Sequence, residues 1–316
     1  FQCSGEFEKN LEILLDFVKA PYFTEETVQK EQGIIGQEIR MYQDAPDWQV
    51  LFNLLRGLYS NNPVRIDIAG TIDSIAQINA DLLYSCYNTF YNLSNMALAV
   101  VGNVKKETVL SIVDRVIKPE TPVKFEQIVP EEPETVAQKL IEEKMGVDMP
   151  KFALGFKDNL ADTVPSAKKS LTVNIALDII AGKISPLYSK LMEKGLINPS
   201  FGKEYFAGRG FAAPIFTGES TDPVAVKNAI IDKINEIKKN GISDEDFNVS
   251  VKKMYGIAVL AFNDVDDMAN NIIDAYFNGQ SLFDTVELYK TVTKEDVEAA
   301  ITESFDTENH CLSIIR

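Results

Sequence analysis

The chain has 316 residues, 45% hydrophobic and 25% charged, enough for two domains that each bury a core. A formal net charge of −16 argues against nucleic acid or an anionic membrane surface as a partner and weakly favours cationic peptides at long range. No apolar run reaches the roughly 18 residues of a membrane span, no signal peptide is visible, and Cys3, Cys86 and Cys311 have no metal-site spacing, so they read as thiols in a reducing cytoplasm.

After a strand-like start, residues 10–19 place Leu11, Leu14, Leu15 and Val18 on one helical face. Ala20-Pro21-Tyr22-Phe23 stops that helix, and Thr24 is the predicted N-cap of the next, with Glu25 and Glu26 in its first turn. That helix runs to about Tyr42 or Gln43, Asp44-Ala45-Pro46 breaks it, and a further helix is expected over 47–59. Short helical segments begin at Thr71 and Asp73, followed by a helix over 81–91, an apolar strand over 96–101 closed by Gly102-Asn103, and a helix over 105–117. Pro119, Pro122, Pro130 and Pro133 forbid a regular helix in the acidic stretch that follows.

In the second half, residues 151–157 read as a strand, 171–180 as an apolar helix and 186–194 as a helix ending at Gly195. Two short strands between Ser200 and Gly218 are broken by Ala207-Gly208-Arg209-Gly210, a hairpin signal. Helices over 224–239, 244–262, 265–277 and 294–305 precede a final strand that includes His310, the only histidine, which reads as a strand residue rather than a ligand or base. Strands early, helices in the middle and a strand last predict an α+β unit whose mainly antiparallel sheet is covered on one face by helices.

The two halves repeat one another. Thr24-Glu25-Glu26-Thr27-Val28 matches Ser243-Asp244-Glu245-Asp246-Phe247 at a spacing of 219. Asp81-Leu82 with Phe90 matches Asp296-Val297 with Phe305 at 215, and Asn95, Leu98 and Val100 match Asn309, Leu312 and Ile314 at 214. The organisation expected is a truncated first half (1–118), a Pro/Glu-rich linker (119–149) and a second half (150–316). The second copy starts some 70 residues before Ser220, so the first copy's equivalent stretch is expected upstream of Phe1, and the sequence reads as a fragment.

Glu31 and Glu38 lie seven residues apart, two turns along one stripe of the helix after Thr24, with Ile34, Ile35 and Tyr42 sharing or flanking it. Carboxylates on an apolar stripe need a partner, and a metal ion is one; the other reading is an ordinary solvated helix face. The matching positions in the second copy are Ser250 and Ile257, so neither acid is required by the fold. Serine or cysteine nucleophiles lack a histidine partner, and Asp264, Asp266 and Asp267 lack calcium-loop spacing and read as helix-start acids.

Lys30-Glu31, Gln37-Glu38-Ile39-Arg40-Met41-Tyr42 and Asp44-Ala45-Pro46-Asp47-Trp48, with Asn62-Pro63, Val100-Val101-Gly102-Asn103 and Ser185-Pro186-Leu187-Tyr188, resemble the pitrilysin/insulinase family of zinc metallopeptidases, nearest its bacterial cytosolic members with two halves per chain. The resemblance implies a zinc-dependent endopeptidase acting on peptides or unfolded polypeptide, as a homodimer or a heterodimer with a related subunit. It assigns Glu38 as the distant third zinc ligand and Glu31 a supporting role beside it. The family's H-x-x-E-H, about 70 to 80 residues before that ligand, is absent and is expected upstream of Phe1. With one matched ligand the 316 residues are expected to be inactive and to hold no zinc stably. The family's second half brings an arginine and a tyrosine near the substrate; the tyrosine expected soon after Leu196 is missing, and Tyr205 and Arg209 are the nearby candidates, with a structural strand-and-turn role as the other reading. A non-catalytic subunit lending a chamber wall to an active partner is the alternative function.

Overall fold

The structure, a computed structural model, describes residues 1–124, 126, 128–158, 160 and 163–316. In chain order its elements are α1 (Phe7–Lys19), α2 (Glu25–Gln43), α3 (Pro46–Leu58), α4 (Ile72–Ile75), α5 (Ala80–Phe90), α6 (Lys106–Val116), β1 (Leu140–Glu143), β2 (Lys151–Phe156), α7 (Ala167–Ala181), α8 (Pro186–Glu193), β3 (Gly202–Gly208), β4 (Phe211–Glu219), α9 (Pro223–Asn240), α10 (Asp244–Leu260), α11 (Val265–Phe277), α12 (Leu282–Leu288), α13 (Lys294–Ser304) and β5 (His310–Ile315). Packing divides them into two units. One comprises Phe1–Ile39, Ala69–Ile128 and Leu260–Gly279; the other comprises Arg40–Ile68, Val129–Val259 and Gln280–Arg316.

The second unit is built on a five-stranded sheet of order β1-β5-β2-β4-β3, antiparallel except for the β1–β5 pair. Its strands alternate strictly, which sends side chains to two buried faces. Phe152, Leu154 and Phe156 of β2, Leu312 and Ile314 of β5 and Phe216 of β4 enter one core with Val173, Leu177, Ile230, Ile234 and Ile301 of α7, α9 and α13. Ala153, Ala213, Ile215, Cys311 and Ile315 face the other way, against Leu54, Leu55, Leu58 and Tyr59 of α3 and its end. Helices therefore cover both faces, the second by way of a helix from the first half of the sequence. Small residues let α3 close on the sheet: a Cβ on Gly155 would stand 3.0 Å from Leu58, and one on Gly57 would stand 2.3 Å from the Cys311 sulfur.

The first unit is helical. α1 packs on α6, with an ion pair from Arg115 to Glu12, and the Tyr87 hydroxyl on α5 donates to the Val18 carbonyl at 2.7 Å. The Gln32 amide on α2 donates to the Ile75 and Ile78 carbonyls, and the Glu25 carboxylate receives the Ala80 N–H at the start of α5. Residues 96–101, expected as a strand, form none, and no strand is found among this unit's described residues. A strand is defined by its ladder partner, and these residues have none among the described residues. The strand-like start is likewise irregular up to Phe7.

Element positions repeat with the sequence. α2 and α10 start 219 residues apart, as do α3 and α11, while α5 and α13 start 214 apart. The caps repeat as well: Thr24 and Ser243 accept from the N–H groups of Thr27 and Asp246, and Asn79 and Thr293 from those of Leu82 and Asp296. β1, within the proline-rich stretch, and α12 are elements that hydrophobic period did not reveal.

Candidate functional site

Glu31 and Glu38 both project from the exposed side of α2, where Ile34 and Met41 are also exposed; the opposite side buries Val28, Gly36 and Ile39. The stripe read from spacing is therefore the outer face of the helix within its unit. In the second copy Ser250 is buried on α10 and Ile257 is 53% exposed, so the two copies present different chemistry at corresponding positions.

The residues present do not fit a zinc site. Among the described residues no group of three or more His, Cys, Asp or Glu side chains is placed to hold a metal ion, whereas zinc takes three or four such ligands. His310 is committed elsewhere: its Nδ1 lies 2.8 Å from the Thr307 carbonyl, its ring packs beside Phe156, and burial holds its basicity down. Cys311 is buried under α3, and burial pushes its thiol up to about 12. Asp264 caps α11 through the N–H groups of Asp266 and Asp267, as the helix-start reading expects.

Tyr205 sits on β3 and Arg209 in the β3–β4 turn. The Tyr205 hydroxyl donates to Asp158 Oδ2 at 2.9 Å, and Lys169 meets Asp158 Oδ1 at 3.1 Å. Burial and the adjacent Asp158 charge hold the phenol firmly protonated. Arg209 is exposed at a hairpin tip whose next residue, Gly210, has φ 77° and is pinned by Asn62 and Thr163.

Two buried charge clusters escaped the sequence reading. Glu132 accepts from the N–H groups of Ser60, Asn61 and Asn62 and from Lys157 Nζ, all at 2.7 Å. Burial raises its pKa, but these donors together outweigh it and hold the carboxyl below its ordinary value. Lys157, fully buried, also lies over the Tyr59 ring. On α7, buried Asp178 meets Lys253 at 2.6 Å and Lys203 at 3.2 Å through Oδ1, while Oδ2 is buried without a hydrogen bond. The signal for Asp178 was present: one acid inside the apolar run Ile175-Ala176-Leu177-Asp178-Ile179-Ile180 needs a cation nearby.

The fold is that of an M16-like peptidase. A crystal structure of such a protein from Alicyclobacillus acidocaldarius superposes with a TM-score of 0.94 at 30% identity, covering 98% of this chain and 75% of that one. A peptidase M16 inactive domain from Pseudomonas fluorescens shares the fold at 17% identity, with a TM-score of 0.82 over 98% of this chain and 74% of that one. Residues 77–254 match the family profile described as the peptidase M16 inactive domain, and residues 3–72 match that of insulinase (peptidase family M16). The chain is similar to the uncharacterized zinc protease YmfH of Bacillus subtilis, 39% identical over 310 residues that cover 96% of this chain and 72% of the relative. The chain belongs to peptidase family M16, the insulinase family, as the motifs around Glu38 imply. No single described helix is long and apolar enough to cross a membrane.

Proposed function

We propose that the chain contributes Glu38 as the distal carboxylate ligand of a zinc-dependent endopeptidase acting on peptides or unfolded polypeptide, the histidine ligands coming from outside these 316 residues. The observation that carries this reading is the position of Glu38. It lies on the exposed face of α2, in the stretch that matches the insulinase profile, where the second copy has Ile257. Glu31, two turns earlier on the same face, orients or screens that ligand. In this reading residues 1–118 are the catalytic-type half and 150–316 the non-catalytic half, joined by 119–149. Tyr205 and Arg209 line the substrate's path, and the protein works as a homodimer or with a related subunit. Free Cys3, Cys86 and Cys311 suit a reducing cytoplasm.

The test is zinc content and peptide hydrolysis by the full gene product, compared with Glu38→Gln and Glu31→Gln. Expected are one zinc per chain, loss of both zinc and activity in Glu38→Gln, and a smaller fall of about 10- to 100-fold in Glu31→Gln. The 316 residues alone should neither retain zinc after dialysis nor cleave peptide. A full product whose zinc and activity are unchanged by Glu38→Gln would overturn the assignment, and one with neither zinc nor activity would leave the non-catalytic subunit.

A further inference from the structure

The buried cluster on Asp178 holds two cations against one anion. Lys203 of β3 and Lys253 of α10 place their ammonium groups on the same carboxylate oxygen, Oδ1, of a side chain that is 0% exposed. The carboxylate is closely held: a Cβ on Gly182 would stand 2.3 Å from Oδ1, and Oδ2 is buried without a hydrogen bond. Two ammonium groups around one anion repel each other, and burial removes the water that would screen them.

Of the two lysines, Lys203 is the more enclosed, its side chain 20% exposed against 32% for Lys253. Burial pushes the Lys203 ammonium below its ordinary pKa by more than the attraction of Asp178 restores, and the Lys253 charge pushes the same way. Among the described residues the charged groups acting on it are Asp178 from α7 and Lys253 from α10, while β4 sets Phe216 opposite. A lysine attacks a carbonyl carbon only as the neutral amine, and desolvation beside a second cation favours that form.

The geometry points to Lys203 as a site of covalent acylation by a small acyl phosphate, the surplus positive charge of the cluster drawing in the anionic donor. The ammonium first gives one proton to water. The neutral Nζ then attacks the carbonyl carbon, the amide C–N bond forms, and the C–O bond to phosphate breaks. The electron pair of that bond and one amine proton leave as hydrogen phosphate. The product balances the cluster, because the amide is uncharged, Asp178 keeps one cation in Lys253, and an amide N–H remains to donate to the carboxylate. No part of this step uses Glu38 or a metal, so it stands apart from the peptidase reading.

Treatment of the intact protein with acetyl phosphate tests this, each lysine being followed at low conversion by peptide mass spectrometry. At neutral pH Lys203 should be acetylated about tenfold or more faster than the exposed Lys144 and Lys252. The lead should narrow as the pH nears the ordinary lysine value of 10.5. Lys253→Gln should slow acetylation of Lys203 several-fold by removing the repelling charge, whereas Lys253→Arg should preserve it, with Lys144 as the control in both. Lys203 reacting no faster than Lys144, a lead that does not change with pH, or a rate indifferent to Lys253→Gln would overturn the inference. A neutral acylating ester that favours Lys203 equally would overturn the assignment of an anionic donor.

Discussion

β5 and residues 96–101 are copies of one sequence pattern in two settings. Leu312 of β5 is 2% exposed, held between paired strands under α9 and α13, whereas its counterpart Leu98 is 45% exposed. The second unit holds nearly all of the fully buried large side chains, among them Phe152, Phe156, Phe216 and Phe305, while the first leaves Phe17 at 77% and Ile34 at 50% exposed. A similar apolar pattern is thus buried in β5, where β1 and β2 lie beside it, and stays partly exposed at 96–101, where no described strand does. Hydrophobic pattern states what a segment is able to bury, and the ladder decides whether it does.

The largest expected effect lies in the clasp at the end of α3, where one carboxylate ties three backbone N–H groups to Lys157. Removing one member of such a buried pair costs about 3–5 kcal/mol, so Lys157→Met should lower the denaturant midpoint of the second unit strongly. The clasp also sets a pH dependence. The folded pKa of Glu132 lies below its ordinary 4.5, so its contribution is complete above that value and is lost as pH falls through the lower, folded value. Unfolding curves for the wild type and Glu132→Gln should differ most near neutral pH and converge as pH falls below about 4.5; a gap that stays constant down to pH 3 would contradict this.

Leu312→Ala and Leu98→Ala test the two copies directly. The first should cost about 2–5 kcal/mol by opening a core cavity, and the second about 0.5 kcal/mol or less because Leu98 is half exposed. Equal costs would mean that the first unit is packed as tightly as the second. Gly57→Ala comes next: its Cβ would meet the Cys311 sulfur at 2.3 Å, and overpacking of this kind costs about 1–3 kcal/mol. Pairing it with Cys311→Ala should return part of that loss, since the clash is with one side chain.

The helices, α12 excepted, were legible because each local signal acts alone. Thr24, Asn79, Ser166, Ser185, Asp222 and Thr293 each cap a helix through their own side chain, whatever lies beyond. The strands that alternate between two buried faces were readable too. Not readable was anything defined by a remote partner. Residues 96–101 have the composition of a strand without its ladder. β1, with two glutamates, is a strand only because β5 lies beside it. The covering of the sheet's second face by α3 joins residues about 100 to 260 apart in sequence, and no periodicity encodes it. At the candidate site the shared face of Glu31 and Glu38 followed from helical spacing, but a ligand set is assembled from several elements, and the described residues bring no group of three or more His, Cys, Asp or Glu side chains together to hold a metal ion.

The smallest effect separates local from tertiary stability most cleanly. Thr24 and Ser243 cap corresponding helices with nearly the same geometry, accepting at 3.1 Å and 3.0 Å from the N–H three residues on. Each cap should contribute about 1 kcal/mol to its own helix. α2 belongs largely to a unit with few buried apolar side chains, whereas α10 rests Phe247, Val251 and Met254 on the large core. Thr24→Ala should therefore raise amide exchange throughout the first turns of α2 by local opening, while Ser243→Ala should shift the global unfolding midpoint with little change in local exchange. The same response in both helices would show that the copies share one cooperative unit, and the contrast between their cores would then be confined to packing.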